Sequence, residues 1–137
     1  MIGKSDMTDS TRRRALLLRN PKSRRGGESI DSVLRRLDEG GIVTTVETFE
    51  HLPEIARDIV RLRDTADLVI VCGGDGSVSS SALAVMESAL PLGIIPMGTA
   101  NDLARTLDLP LDPAEAAGVI AAGLTRPVDV GTVNGHA

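Results

Sequence analysis

The chain has 137 residues, of which 42% are hydrophobic and 25% are charged, and its formal net charge is −4. This length and balance fit one soluble globular domain with its own core and exclude a disordered chain. The mild acidity offers no basic face for nucleic acid, and the only aromatic residue, Phe49, provides no platform for base stacking. We therefore expect no nucleic-acid partner.

The single cysteine, Cys72, excludes an internal disulfide and fits a cytoplasmic protein. Residues 1–12 lack the apolar centre of a signal peptide, and we expect them to form a flexible tail. No run approaches the roughly 20 apolar residues needed to span a bilayer. Arg12, Arg13 and Arg14 could meet anionic lipid, although a solvated terminus is the more ordinary interpretation. At most, we expect peripheral contact at the inner membrane face.

Strands and helices alternate along the chain. The apolar run 14–19 predicts a first strand, and an amphipathic helix then begins near Ile30 and ends at Gly40-Gly41, as with a left-handed cap. The remaining strands are predicted at 42–49, 67–72, 92–95 and 128–133. The remaining helices are predicted from Pro53 and at 78–90, 100–107 and 113–122.

This alternation predicts an α/β fold over residues 13–137, with a parallel sheet between two layers of helices. In such folds the loops that follow the strands converge on one edge of the sheet, where ligands bind. Three polar or glycine-rich loops follow predicted strands, at residues 20–27, 73–77 and 96–102. Their shared position at one edge favours a phosphorylated ligand.

The loop Gly73-Gly74-Asp75-Gly76-Ser77 joins a buried strand to a helix. Glycines allow close approach of the backbone to a ligand, and the N-terminus of the helix attracts anions such as phosphate. The loop has neither the Gly-Lys-Ser/Thr of a Walker A motif nor the spacing of a dinucleotide fingerprint. A tight turn capped by Asp75 and Ser77 explains the same residues equally well. The residues alone leave both interpretations open.

The other two loops are less specific. In the 96–102 loop, Thr99 could cap a helix or bind a phosphate or ribose oxygen, while Asn101 and Asp102 are ordinary residues for a first helical turn. In the 20–27 loop, Asn20 could bind a base or phosphate, beside three basic residues that solvation alone would explain. No cluster of His, Cys and Asp has metal-ligand spacing, so a zinc site is not expected and no residue is assigned as a metal ligand.

Four motifs occur in order: NPxS at 20–23, GGDGS at 73–77, IPMGTANDLAR at 95–105 and VDVGTVNG at 128–135. Together they resemble the catalytic domain of diacylglycerol kinases and their bacterial lipid-kinase relatives, over residues 14–137. The resemblance implies ATP and Mg²⁺ as cofactors and transfer of the γ-phosphoryl group to a lipid hydroxyl, such as that of diacylglycerol. Because GGDG also occurs in NAD kinases and phosphofructokinases, which share the fold, a kinase of that kind is the alternative.

The resemblance also implies the site residues. Those lining the ATP phosphates would be Gly73, Gly74, Asp75, Gly76 and Ser77. Those beside the nucleotide would be Asn20, Ser23 and Thr45, with Gly98 and Thr99 closing the other side of the cleft. Asp75 would be catalytic, either orienting Mg²⁺ or water or accepting the proton of the attacking hydroxyl.

Two features depart from the family pattern. The family commonly continues GGDGT-x-N-E, whereas Ser79 and Ser80 stand at the Asn-Glu positions here. This difference favours a second alternative, a non-catalytic nucleotide-binding or interaction module. Family enzymes also carry a β-rich lipid-binding domain after this one, and the chain ends at Ala137. We therefore expect this chain alone to bind nucleotide without phosphorylating lipid.

Overall fold

The computed structural model describes residues 12–21, 30–98 and 100–123. In these segments there are four strands: Arg13–Arg19 (β1), Ile42–Thr48 (β2), Leu68–Gly73 (β3) and Leu92–Pro96 (β4). Five α-helices lie in the same segments: Asp31–Glu39 (α1), Pro53–Leu62 (α2), Asp75–Ser88 (α3), Asp102–Thr106 (α4) and Pro113–Ala121 (α5). A short 3-10 helix, Arg63–Thr65, follows α2.

The four strands form one parallel sheet in the order β2-β1-β3-β4. The chain moves outward from β1 to β2 and then crosses back to β3, so the direction of winding reverses between β1 and β3. In doubly wound folds, ligands bind in the crevice beyond the carboxyl ends of the strands at such a reversal. The predicted parallel α/β class is confirmed.

Helices cover both faces of the sheet, which explains why β3 is buried along its whole length. On one face, Leu17 and Ile70 pack in a cluster with residues of α1 and α5. On the other, Leu16 and Val69 pack in a cluster with residues of α2 and α3. The continuous apolar runs of β1 and β3 are therefore the centre of the core.

Several boundaries differ from those predicted. Helix α3 begins at Asp75 rather than residue 78, because the extended Gly74 serves as its N-cap and an acidic residue is favoured in a first turn. Helix α4 begins only at Asp102, because Asn101 is left-handed with φ 54°. The left-handed glycine after α1 is Gly41 (φ +84°), whereas Gly40 has φ −84°. The predicted strand at 128–133 and residues 1–11 of the predicted tail lie outside the described residues.

Three arginines, one just before β1 and two at its start, contact acceptors elsewhere in the chain. The guanidinium group of Arg12 donates to the Asp38 carboxylate, that of Arg13 to the Ala121 carbonyl oxygen, and that of Arg14 to the Asp67 carboxylate. The basic run thus ties the start of β1 to its neighbours, while the Arg14 pair stays exposed to solvent. Within the described segments, no helix is long and apolar enough to cross a membrane.

Candidate functional site

The carboxyl ends of β1, β3 and β4 lie at one edge of the sheet. Arg19 is level with Cys72 in the register of β1 and β3, and Cys72 is level with Ile95 in that of β3 and β4. The strands therefore end at nearly the same level of the sheet, where Asn20 follows β1 and Gly74 follows β3. The two central loops are joined directly, because the Met97 N–H donates to the Gly73 carbonyl oxygen at 3.0 Å.

The N-terminus of α3 opens onto this edge. The first main-chain hydrogen bond at the start of the helix runs from the Val78 N–H to the Gly74 carbonyl oxygen at 3.1 Å. Among the described residues, no side chain accepts a hydrogen bond from the N-terminal amides of α3. The proposed capping of α3 by Asp75 and Ser77 is therefore wrong. Uncapped amides at the positive end of a 14-residue helix suit an anionic ligand.

Ser77 is buried, with 6% of its surface exposed. Its hydroxyl lies over Gly73, where an added Cβ would come within 2.8 Å of Oγ. The turn from β3 into α3 is therefore tight, and a side chain on Gly73 would have to displace Ser77.

Asp75 reaches across to the next loop instead of capping its own helix. Its Oδ2 accepts a hydrogen bond from the Asp102 N–H at 3.0 Å, and its Oδ1 accepts one from the Leu103 N–H at 3.1 Å. A carboxylate that accepts from the first amides of a helix is a strong capping group, since both the charge and the hydrogen bonds are favourable. Asp75 thus caps α4 from outside that helix.

The loop before α4 is folded by Asn101. The Gly98 N–H donates to the Asn101 Oδ1 at 3.0 Å, and the Asn101 Nδ2 donates to the Gly98 carbonyl oxygen at 3.1 Å. This arrangement presses Gly98 against Gly74: a Cβ on Gly74 would lie 3.1 Å from the Gly98 Cα, and one on Gly98 would collide with the Gly74 Cα. Both glycines are required by the contact between the loops.

The other predicted site residues are distributed unevenly. Asn20 is half-buried beside the carboxyl end of β1. Thr45 is exposed in the middle of β2, level with Leu16, and so lies about four residues, or roughly 13 Å along the strand direction, short of Gly73. The structure does not bring Thr45 to the loops. Ser23 and Thr99 lie outside the described residues.

Sequence reasoning treated Asn101 and Asp102 as ordinary residues of a first turn, whereas both belong to the junction between the loops. One signal was available for Asn101, because asparagine is among the few non-glycine residues that tolerate the left-handed conformation. No comparable signal marks the backbone amide of Leu103.

The polar groups available at the carboxyl edge of the sheet are carboxylates and main-chain amides. Burial raises the pKa of the neighbouring Cys72 thiol to about 12, so this cysteine is not a nucleophile near neutral pH. The described part of the chain contains no group of three or more His, Cys, Asp or Glu residues placed to hold a metal ion. Mg²⁺, however, is usually bound by one or two carboxylates together with substrate phosphates. Asp75 and the exposed Asp102 fit that limited role.

Fold and site together define a doubly wound α/β domain whose glycine loops meet at the reversal of its sheet. Residues 14–133 match the family model of the diacylglycerol kinase catalytic domain. The chain belongs to this family, which confirms the resemblance seen in the sequence and selects it over the NAD kinase and phosphofructokinase alternatives.

Known relatives agree with this assignment. The chain is 35% identical over 134 residues to a diacylglycerol kinase of Bacillus subtilis, covering 90% of this chain and 43% of that protein. It is 36% identical over 130 residues to one of Staphylococcus epidermidis, covering 90% and 40%. A crystal structure of a putative diacylglycerol kinase from Bacillus anthracis superimposes with a TM-score of 0.82 at 30% identity, covering 92% and 48%. The chain thus spans less than half the length of these relatives.

Proposed function

We propose that this chain is the nucleotide-binding domain of a lipid kinase that transfers the ATP γ-phosphoryl group to a lipid hydroxyl, such as that of diacylglycerol. The observation that carries the proposal is the meeting of two glycine loops at the N-terminus of α3, whose first amides donate to no side chain among the described residues, beside the reversal between β1 and β3. Membership of the diacylglycerol kinase catalytic domain family supports the reaction class.

In this proposal the phosphates of ATP lie against the α3 N-terminus. The 73–77 loop would line them, because its glycines allow close approach and the α3 amides supply hydrogen bonds. The residues proposed around the rest of the nucleotide are Asn20, Ser23, Gly98 and Thr99. Of these, Asn20 and Gly98 are supported by their places at the carboxyl edge. Thr45 is proposed from the family resemblance alone, because it lies in the middle of β2, away from the loops.

Phosphoryl transfer depends mainly on positioning and on neutralising charge. The backbone amides at the start of α3 would stabilise phosphate oxygens, and the rigid loop contacts would fix their position. Mg²⁺, when bound with the nucleotide, would add positive charge, and the Asp75 and Asp102 carboxylates would hold it. Asp75 could orient the ion or a water, or accept the proton of the acceptor hydroxyl. Each carboxylate oxygen has a second lone pair, so its bonds to α4 exclude neither role.

The proposed function also implies a cellular location and a metabolic role. We place the kinase in phospholipid metabolism, in the cytoplasm and at most peripherally at the inner membrane face. The guanidinium groups of Arg12, Arg13 and Arg14 already contact acceptors within the chain, so the proposal does not rest on them. The lipid would be bound by the β-rich domain that family members carry.

Calorimetric titration of this chain with ATP and Mg²⁺ tests the proposal. We expect weak binding, lost in Gly74→Ala, because the new Cβ would lie 3.1 Å from the Gly98 Cα and force the loops apart. Gly118→Ala is the matched control, since its Cβ would meet only the flexible guanidinium of Arg36. A folded wild-type chain that shows no heat of binding up to about 10 mM ATP would contradict the proposal.

One feature favours the non-catalytic module as a second candidate. Ser79 and Ser80 replace the common Asn-Glu pair, and both lie on α3 outside the fully buried core. Asn and Glu can therefore be introduced there without displacing core side chains. If the full natural protein phosphorylates diacylglycerol only after Ser79→Asn and Ser80→Glu, the module is the correct assignment. If the unmodified protein is already active, the kinase assignment stands.

A further inference from the structure

Asp75 is the first residue of α3, the helix end proposed to receive phosphate. A carboxylate at that end would ordinarily compete with the ligand for the same amides and repel its charge. The structure removes the competition for the amides, since both carboxylate oxygens accept hydrogen bonds from α4, at 3.0 Å from the Asp102 N–H and 3.1 Å from the Leu103 N–H. The negative charge of Asp75 therefore lies against the positive end of a different helix.

This contact also holds the two loops together. The Met97–Gly73 main-chain hydrogen bond and the packing of Gly98 on Gly74 join the loops near the sheet. Neither of these two contacts involves α4, which begins four residues after Gly98. Within the described residues, the Asp75 carboxylate makes the hydrogen bonds that extend the junction to α4.

We propose that Asp75 is a positioning residue: its carboxylate docks α4 onto the start of α3, and this docking keeps the α3 amides arranged for the nucleotide phosphates. The inference rests on the proposed function for its nucleotide, but the docking itself does not. The sequence suggests that Asp75 orients Mg²⁺ or water, or accepts a proton. In the positioning role Asp75 instead acts through main-chain amides, without a metal or a proton transfer.

Amide hydrogen exchange, followed by NMR on this chain without nucleotide, tests the docking. Asp75→Asn keeps one acceptor but turns an N–H₂ group toward the second amide donor, and Asp75→Ala removes both acceptors. We expect the Asp102 and Leu103 amides to exchange at least about tenfold faster in both variants. Asp112→Ala is the matched control, because Asp112 caps α5 through the Glu115 N–H at 3.0 Å, away from the loops. It should speed exchange at Glu115 alone.

Calorimetry with ATP separates positioning from metal binding. A positioning role predicts that Asp75→Asn weakens ATP binding about tenfold or more in EDTA, where no metal is bound, as well as with Mg²⁺. Asp112→Ala should leave both affinities unchanged. Unchanged exchange at Leu103 overturns the docking. The positioning role is overturned if Asp75→Asn speeds amide exchange but leaves the ATP affinity unchanged. It is also overturned if the variant loses ATP affinity only when Mg²⁺ is present. A wild-type chain that binds no ATP overturns the proposed function and the coupling to nucleotide, while the exchange data still judge the docking.

Discussion

Replacing Gly98 with alanine should separate the two glycine loops. The added Cβ would lie 3.0 Å from the Gly74 nitrogen, 3.1 Å from the Asn101 Oδ1 and closer still to the Gly74 Cα. Non-bonded carbon atoms pack best at about 3.5–4.0 Å, so the loops must move apart. The obstructing atoms on Gly74 are backbone, so no side-chain rotation relieves the clash.

The cost can be estimated from the contacts that must change. Overpacking of a close contact costs about 1–3 kcal/mol. Moving the loops also strains the Met97–Gly73 hydrogen bond, and such a bond contributes about 1 kcal/mol. We expect Gly98→Ala to lower the free energy of unfolding by about 2–4 kcal/mol, which corresponds to a fall of about 1–2 M in the urea midpoint.

Gly76→Ala is the matched control in the same site. Its Cβ would meet only the Leu52 Cδ1 at 3.9 Å, an ordinary contact, and alanine is favoured over glycine in a helix by about 0.5–1 kcal/mol. Its urea midpoint should therefore rise slightly. The chain has no Trp or Tyr, so unfolding is followed by circular dichroism. A Gly98→Ala midpoint equal to that of the wild type would refute the close approach of the loops.

Three further predictions concern stability and reactivity. Ala89 ends α3 in the left-handed conformation (φ 58°), so Ala89→Gly should raise the free energy of unfolding by about 1 kcal/mol in urea titrations, and a decrease would contradict this. Hydrogen bonds from Arg14 lower the pKa of Asp67, so their stabilisation is complete above the ordinary carboxyl pKa of about 4 and is lost as the pH falls through the lower folded-state value. In Asp67→Asn the free energy of unfolding should fall less steeply as the pH is lowered below about 4. An unchanged slope in this range would contradict a stabilising Arg14–Asp67 pair. The buried Cys72, with its pKa raised to about 12, should react with a thiol reagent at pH 8 only after unfolding, and rapid labelling of the native chain would disprove its burial.

The fold could be predicted because its strongest signals are local. The apolar runs of β1 and β3 are long enough to identify strands buried on both faces, and proline or glycine marks their carboxyl ends. The start of α3 was placed too late because its first apolar residue is Val78, whereas the helix begins at a charged residue after Gly74. Hydrophobic periodicity identifies the buried face of a helix and gives no signal for a first turn made of polar residues. The roles of Ser23 and Thr99 and the strand at 128–133 stay predictions.

The partner of Asp75 could not be predicted by any rule of spacing, because 27 residues separate it from Asp102. Once the contact is known, the residue type is explained. Serine and asparagine each offer one side-chain acceptor oxygen, whereas a carboxylate offers two, which here receive the amides of consecutive residues 102 and 103. Main-chain amides at a helix N-terminus carry partial positive charge, so the two amides of α4 offset part of the charge that would otherwise oppose a phosphate at α3. An acidic residue in a loop proposed to bind anions is thus consistent with that function, provided that α4 stays docked. The hydrogen exchange of the Leu103 amide measures this condition directly.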